Sequence, residues 1–412
     1  MLQVSRTIAL LTLALILPVS VLAQTSWEEV TPLPTPRAFP AVAVLGGQIY
    51  VIGGRSAGGQ ALDVVERYDP VSSMWSAVAR IDKARFNAAA TEFNGQILLT
   101  GGRDGDDELT DDTEVYDPIG DRWESFAQSD EKREGHQTFS IGNDVFAVGG
   151  LDETAQPRND AEVYNESVGT WQNYGFWVLN APRAAFSAVR DGVGVLVFGG
   201  FGPVGPVAQV EYFVPGQSGS SRAAMPAARG SLAGARAAGL VFAIGGRNAG
   251  GDVVARVDAY NSSLDQWESE VALPEPREGA VAAEAGGNLY VFGGQDGTGE
   301  LSSTCLELML VTANEPSTPQ VGFALDLTGP NPFTNATSFS LQTGAPGSMT
   351  ISVYDLLGRR VALLFSGQVL AGRQNIGWNG TDDAGRPLSS GIYLLRASDG
   401  QRSAVQRITR MR

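Results

Sequence analysis

Side chains able to do chemistry are scarce in this 412-residue chain, and that scarcity narrows the function before any fold is considered. A single histidine, His136, and a single cysteine, Cys305, leave no set of imidazole or thiolate ligands for zinc or copper. No G-x-S-x-G elbow offers a serine nucleophile, and the glycine pairs of the chain end strand-like runs and open no phosphate-cradling helix. The acids of "GRDGDDELTDD" at 102–112 gather the oxygen ligands that hard cations prefer, but the spacing lacks the glycine and closing glutamate of a calcium loop. Neither a metal nor a cofactor is expected. What remains are charged and amide side chains just after a recurring glycine pair, at Arg55, Arg103-Asp104, Asp152, Arg247-Asn248 and Asp296, together with His136.

The elements that must position these residues repeat. Glycine pairs fall at 53–54, 101–102, 149–150, 199–200, 245–246 and 293–294, each ending an apolar run such as "YVIGG" or "LLTGG". An arginine sits 16 residues before each first glycine, at Arg37, Arg85, Arg133, Arg183, Arg229 and Arg277. Tyr68, Tyr116, Tyr164 and Tyr260 follow each pair at a fixed distance, with a slipped Tyr212 in the fourth copy and Leu308 in the sixth; Trp75, Trp123, Trp171 and Trp267 come next. Turn formers such as Gly46-Gly47, Asn94-Gly95 and Asp69-Pro70 divide each copy into four short strands. The repeated arginines read as structural, pairing with the acids two residues before the tyrosines: Glu66, Glu114, Glu162 and Asp258.

This spacing of Arg, Gly-Gly, Tyr and Trp resembles the kelch repeat over residues 25–311. The resemblance implies an all-β fold, a six-bladed β-propeller spanning 24–311. Trp27 precedes Arg37 by the same distance that separates Trp75 from Arg85, so the N-terminal segment is expected to supply the outer strand of the last blade and close the ring. The fourth copy has Gly219 where tryptophan is expected; a loose outer edge follows, with Trp177 covering the gap. Copper-radical oxidases built on kelch propellers need several histidines and are excluded.

Both ends of the chain speak of export. Residues 1–23 pair Arg6 with the apolar run Ile8 to Leu17 and small residues before Gln24, the pattern of a secretory signal peptide and not of a membrane span. A polar linker at 312–320 leads to short alternating runs at Ile351–Val353, Val361–Leu363, Ile376–Trp378 and Ile392–Leu394, which predict a small β-sandwich over 321–412. Its phrases "PNPF", "VYDLLGRRV" and "GWNGTDDAGRPLSSGIYLLR" resemble the immunoglobulin-like C-terminal sorting domain of the type IX secretion system, a relative of the flagellar hook-cap domain. The resemblance implies a secreted or cell-surface protein that meets the outer-membrane secretion machinery through 321–412. A net charge of −16, with Lys83 and Lys132 the only lysines, argues against nucleic acid as a partner.

In kelch propellers ligands meet the loops leaving each second strand and those entering each first strand. Carried over, the first set begins at Arg55, Arg103-Asp104, Leu151-Asp152, Phe201, Arg247-Asn248 and Gln295-Asp296; the second holds Phe39, Asn87, His136, Phe186, Ser231 and Gly279. Arginines mixed with acids and amides around an axial mouth could hold a carboxylate-bearing sugar or a peptide. Three readings follow: a non-catalytic surface protein binding a protein or glycan, a carbohydrate-active enzyme resembling the kelch sialic-acid mutarotase, or a structural adhesin component. The enzyme would need an acid–base pair, for which Glu134, Asp152 or Glu278 beside an arginine could serve.

Overall fold

A computed structural model of the chain describes residues 21–23, 26–175, 179–214, 217, 219–312, 323–343, 347–354, 360–370, 372–383, 385–398 and 403–411. Trp177, the first 20 residues of the expected signal and all of the expected linker but Thr312 lie outside them. The chain divides into two compact units, 1–314 and 315–412. Every regular element among the described residues is a strand.

Unit one contains six four-stranded antiparallel sheets. The first runs Ala41–Leu45, Gln48–Ile52, Val65–Asp69 and Met74–Ala77, and the next four repeat this order along the chain. In the sixth, Val281–Ala285, Asn288–Phe292 and Cys305–Leu308 are joined on the outside by Glu28–Val30, which pairs with Cys305–Leu308. Val21–Ala23 also pair with Leu310–Thr312. The second strand of each sheet is buried on both faces, as at Ile49–Ile52 and Val145–Val148, because each sheet packs between two others. That double burial explains why these segments read as continuous apolar runs rather than alternating ones.

The glycine pairs join one repeat to the next. The second glycine donates its amide to the carbonyl of the following repeat's arginine: Gly54 to Arg85 at 2.8 Å, Gly102 to Arg133 at 2.9 Å, Gly150 to Arg183 and Gly200 to Arg229 at 3.0 Å, and Gly246 to Arg277 at 2.9 Å. The sixth bond returns to the start, from Gly294 to Arg37 at 2.9 Å. The first glycine has φ near +60° and lies so close to that same carbonyl that a Cβ would sit 2.4 Å from the oxygen at Gly53 and 2.3 Å at Gly245. Both a left-handed backbone and a missing side chain are therefore required.

The arginine side chain completes the junction. All six arginines are buried to 2% exposure or less. Each bonds the carbonyl of its own first glycine, as Arg37 does with Gly53 at 3.0 Å and Arg133 with Gly149 at 2.9 Å. The four expected acid partners are present: Arg37 pairs with Glu66, Arg85 with Glu114, Arg133 with Glu162 and Arg229 with Asp258. A fifth pair, Arg183 with Glu211, escaped the sequence pattern because this acid stands one residue before the tyrosine, not two. The register gives the reason: Val195 faces Phe213, as Ile49 faces Tyr68, so Phe213 is the true counterpart of the repeat tyrosines and Tyr212 occupies the other face. Burial pulls the pKa of Arg37, Arg183 and Arg229 down, and the facing carboxylate opposes it.

On the outside, each tryptophan reaches back to the neighbouring repeat. Trp75, Trp123, Trp171 and Trp267 donate their indole N–H to the carbonyls of Thr31, Ala79, Ala127 and Ala223 at 2.8–3.0 Å. Trp27 does the same to Val271, four residues after Trp267, at 3.1 Å. At Gly219 the Phe213 ring covers the missing side chain, 2.3 Å from where a Cβ would be.

In unit two, Phe323–Leu327, Thr337–Thr343 and Gly372–Trp378 form one sheet; Arg360–Val369, Gly347–Tyr354, Gly391–Ser398 and Ser403–Arg410 form another. Phe339, Leu341 and Trp378 from the first share a core with Ile351, Val353, Leu395 and Ile408 from the second. The four predicted strand segments are all present, with three further strands.

The junction geometry makes a prediction. Gly53→Ala should destabilise the first unit by more than about 4 kcal/mol in urea unfolding, since backbone must move. Gly46→Ala, at φ +60° with nothing within 4 Å, should cost only about 1–2 kcal/mol. Equal losses would contradict the assigned role.

Candidate functional site

The segments entering the first strands meet in a ring. Amide to carbonyl, Phe39 bonds Gly279, Gly279 bonds Ser231, Ser231 bonds Ala185, Ala185 bonds Gly135, Gly135 bonds Asn87 and Asn87 bonds Phe39, all at 2.7–3.0 Å. Each of the six has φ between 51° and 60°. Left-handed backbone at every position turns the amides and carbonyls toward one another around the axis, so six polar pairs are satisfied without side chains. Beneath the ring is a cavity of about 130 Å³, lined largely by small residues such as Ala89, Ser187, Gly234 and Ala282. It is neutral in character and small against the 300 Å³ or more typical of ligand pockets.

All six residues that the sequence places at the entry to the first strands, Phe39, Asn87, His136, Phe186, Ser231 and Gly279, line this cavity, and only the backbone ring itself differs at two positions. Gly135 and Ala185 are its members, whereas His136 and Phe186 come one position later and are buried, each 1% exposed. The His136 imidazole Nε2 lies 2.9 Å from Thr100 Oγ1. Its Nδ1 has no partner, and burial together with the charge of Arg133 pulls its pKa down to about 3. His136 is therefore a neutral interior group.

The loops leaving the second strands hold the other nominated residues. Arg103 donates from Nε (3.1 Å) and Nη2 (2.5 Å) to Glu134 of the next repeat. Arg247 grips Glu278 in the same way at 2.8 and 2.5 Å. These hydrogen bonds raise both arginine pKa values. Arg55, at the equivalent position, has Phe86 instead of an acid and lies over its ring at 5.5 Å. In the three loops that begin with arginine, the residue 31 positions downstream thus decides whether the loop is tied by charge or by an aromatic face.

Asp104, Asp152, Asp296 and Asn248 share another task. Asp104 accepts the amides of Asp106 and Glu108, Asp152 those of Thr154 and Gln156, and Asp296 those of Thr298 and Glu300; Asn248 accepts that of Asp252. Hydroxyl bonds from Thr154 and Thr298 head the causes that lower the pKa of Asp152 and Asp296. Each side chain braces its own loop, through an Asx turn at Asp104, Asp152 and Asp296, and leaves the tips, including Asp106, Asp107 and Glu153, exposed. The signal was present in the sequence as an Asp or Asn at one offset from the glycine pair, and its meaning is conformational. Cys305 is fully buried and its thiol is pushed up to about 12 by burial, which rules it out as a thiolate nucleophile at neutral pH.

Because the folded pKa of His136 lies below the unfolded value of about 6.5, the unfolded chain takes the proton first. Its contribution is intact above pH 6.5 and is lost as pH falls toward 3. Wild type should therefore lose roughly 2–3 kcal/mol more stability than His136→Gln between pH 7 and pH 4.5, measured by urea unfolding. Equal losses would show that the imidazole titrates normally in the folded protein.

Comparison with known proteins agrees with this architecture. Kelch motifs match at residues 36–80, 84–128 and 132–174, and the FlgD Ig-like domain matches residues 329–403. No curated protein sequence matches the chain. The chain matches 394 solved chains, and a shared architecture by itself assigns no activity. One of these, described as "Structure of YjhT", has a TM-score of 0.61 at 14% identity and covers 69% of this chain and 98% of its own. At that identity the likeness is one of fold. The chain carries kelch repeats arranged as a β-propeller, followed by an FlgD-type immunoglobulin-like domain.

Proposed function

We propose that unit one is a six-bladed ring, closed by Glu28–Val30, which binds a protein or glycan outside the cell through the loops that follow its glycine pairs. The six blades and the closure are supported by the Gly294-to-Arg37 bond, by Trp27 reaching Val271, and by the cycle of amides around the axis. One observation carries the binding reading: the loops are braced from within, so exposed tips stand on rigid stems and lose little entropy when they engage a partner. The enzyme reading has less support, because Glu134 and Glu278 are each held by an arginine and Asp152 is occupied by its own loop. Residues 321–412 are proposed to direct type IX secretion after a signal peptide has delivered the chain to the periplasm.

Both parts are testable. The full chain should be captured by a glycan array or a surface-protein pull-down. The combined variant Asp106→Arg, Glu153→Arg, confined to exposed loop tips, should lose that capture at least about tenfold with little change in the unfolding midpoint. Unaltered capture would contradict the loop assignment. Following sialic-acid anomer exchange by proton NMR should show no acceleration by the protein. Deleting 321–412 should hold the propeller in the periplasm, and normal release of the deletant would contradict the export proposal.

A further inference from the structure

Five of the six buried arginines hold a carboxylate supplied by the third strand of their own sheet, 28 or 29 residues on. The sixth does not. The position that should carry the acid is Leu306, fully buried and in register with Val291 as Glu66 is with Val51. Arg277 keeps the carbonyl contacts of its sisters, donating from Nη1 to Gly293 at 3.3 Å and Thr304 at 2.9 Å. Its Nε has no partner, and no carboxylate among the described residues forms an ion pair with it, although it is 2% exposed. The Nε of Arg133 is also without a partner, but Arg133 has Glu162 beside it at 3.0 Å. Glu275 and Glu29 act on Arg277 through space without touching it, and a buried guanidinium that lacks a hydrogen-bonded carboxylate is costly enough that an anion reaching it would bind favourably.

A route exists. Arg277 lines a cavity of about 360 Å³ whose other walls include Glu275, Asp296, Glu300, Ser302 and Thr304. Asp296 is occupied by the amides of its loop, but Glu275 and Glu300 are exposed and engaged in no ion pair among the described residues. The cavity wall thus combines a largely buried cation, Arg277, with two exposed carboxylates, Glu275 and Glu300, the first of them within the field of the guanidinium. A simple anion would be repelled by the two carboxylates and a simple cation by the guanidinium. A ligand bearing both charges a few ångströms apart suits both ends.

We propose that Arg277 and this cavity form a binding site for a small α-amino carboxylate, the class of free amino acids, with the ligand carboxylate on the guanidinium and its ammonium facing Glu275 and Glu300. The site is separate from the loop tips and stands whether or not they bind a partner. Glycine, acetate and methylamine serve as probes of the full chain by thermal unfolding and calorimetry. Glycine should raise the unfolding midpoint saturably, acetate should bind at least about threefold more weakly, and methylamine should have no effect. Leu306→Glu restores the acid of the other five repeats; it should raise the midpoint without ligand and weaken glycine binding at least about tenfold. Glu29→Gln removes an acid that faces Leu306 across the outer strand and opposes an incoming carboxylate by its charge near Arg277, so it should leave the glycine response intact or strengthen it. No saturable response to glycine in wild type, a response that survives Leu306→Glu, or a response that appears only in Glu29→Gln would each overturn the proposal.

Discussion

Everything in the first unit depends on one polar contact, the arginine carbonyl of one repeat accepting the second glycine amide of the repeat before it. The contact is possible only because the first glycine of the pair turns left-handed with no side chain between the two backbones. That same arginine then sends its guanidinium back to the carbonyl of its own first glycine. Each arginine therefore spans two junctions, with its backbone in one and its side chain in the other. A lysine could not do this, having neither the planar fork nor the number of donors.

Burying six guanidinium groups in one unit creates a problem of charge that the sequence solves locally. Five are matched by an acid on the adjoining strand, which neutralises all but Arg277 and leaves most of the excess acids of the chain for its surface. The loops follow similar logic at smaller scale. Arg103 and Arg247 are neutralised across a junction by Glu134 and Glu278, so the charges that seemed to surround an open mouth belong to the ties between repeats. What the loops offer a partner is accordingly shape and tip composition.

Period and strand order were legible in the sequence because Arg and Gly-Gly mark a contact repeated in all six copies, and Tyr and Trp one repeated in most of them, and the buried pairs of Arg37, Arg85, Arg133 and Arg229 followed from spacing alone. The fourth repeat was harder. Its acid and aromatic are shifted against Tyr212, and only the strand register reveals Glu211 and Phe213 as the counterparts of Glu66 and Tyr68. The candidate site was less legible still. His136 and Phe186 stand one residue after the members of the backbone ring, so they line its cavity as buried side chains and take no part in the ring of amides. Asp104, Asp152 and Asp296 look like ligand groups by type, while their bonds to amides two and four residues ahead can be recognised only once the loop conformation is known.

The central claim is that the repeats form one uninterrupted ring, the last docked on the first as any other neighbours are docked. Native-state hydrogen exchange at the Gly294 amide tests it most directly, because that amide donates to Arg37 across the ends of the repeat series. The account predicts protection within about tenfold of that at Gly102 and Gly150, the corresponding amides in the middle of the series. Exchange at Gly294 close to the rate of an unprotected amide, with Gly102 and Gly150 still protected, would mean that the ring is open.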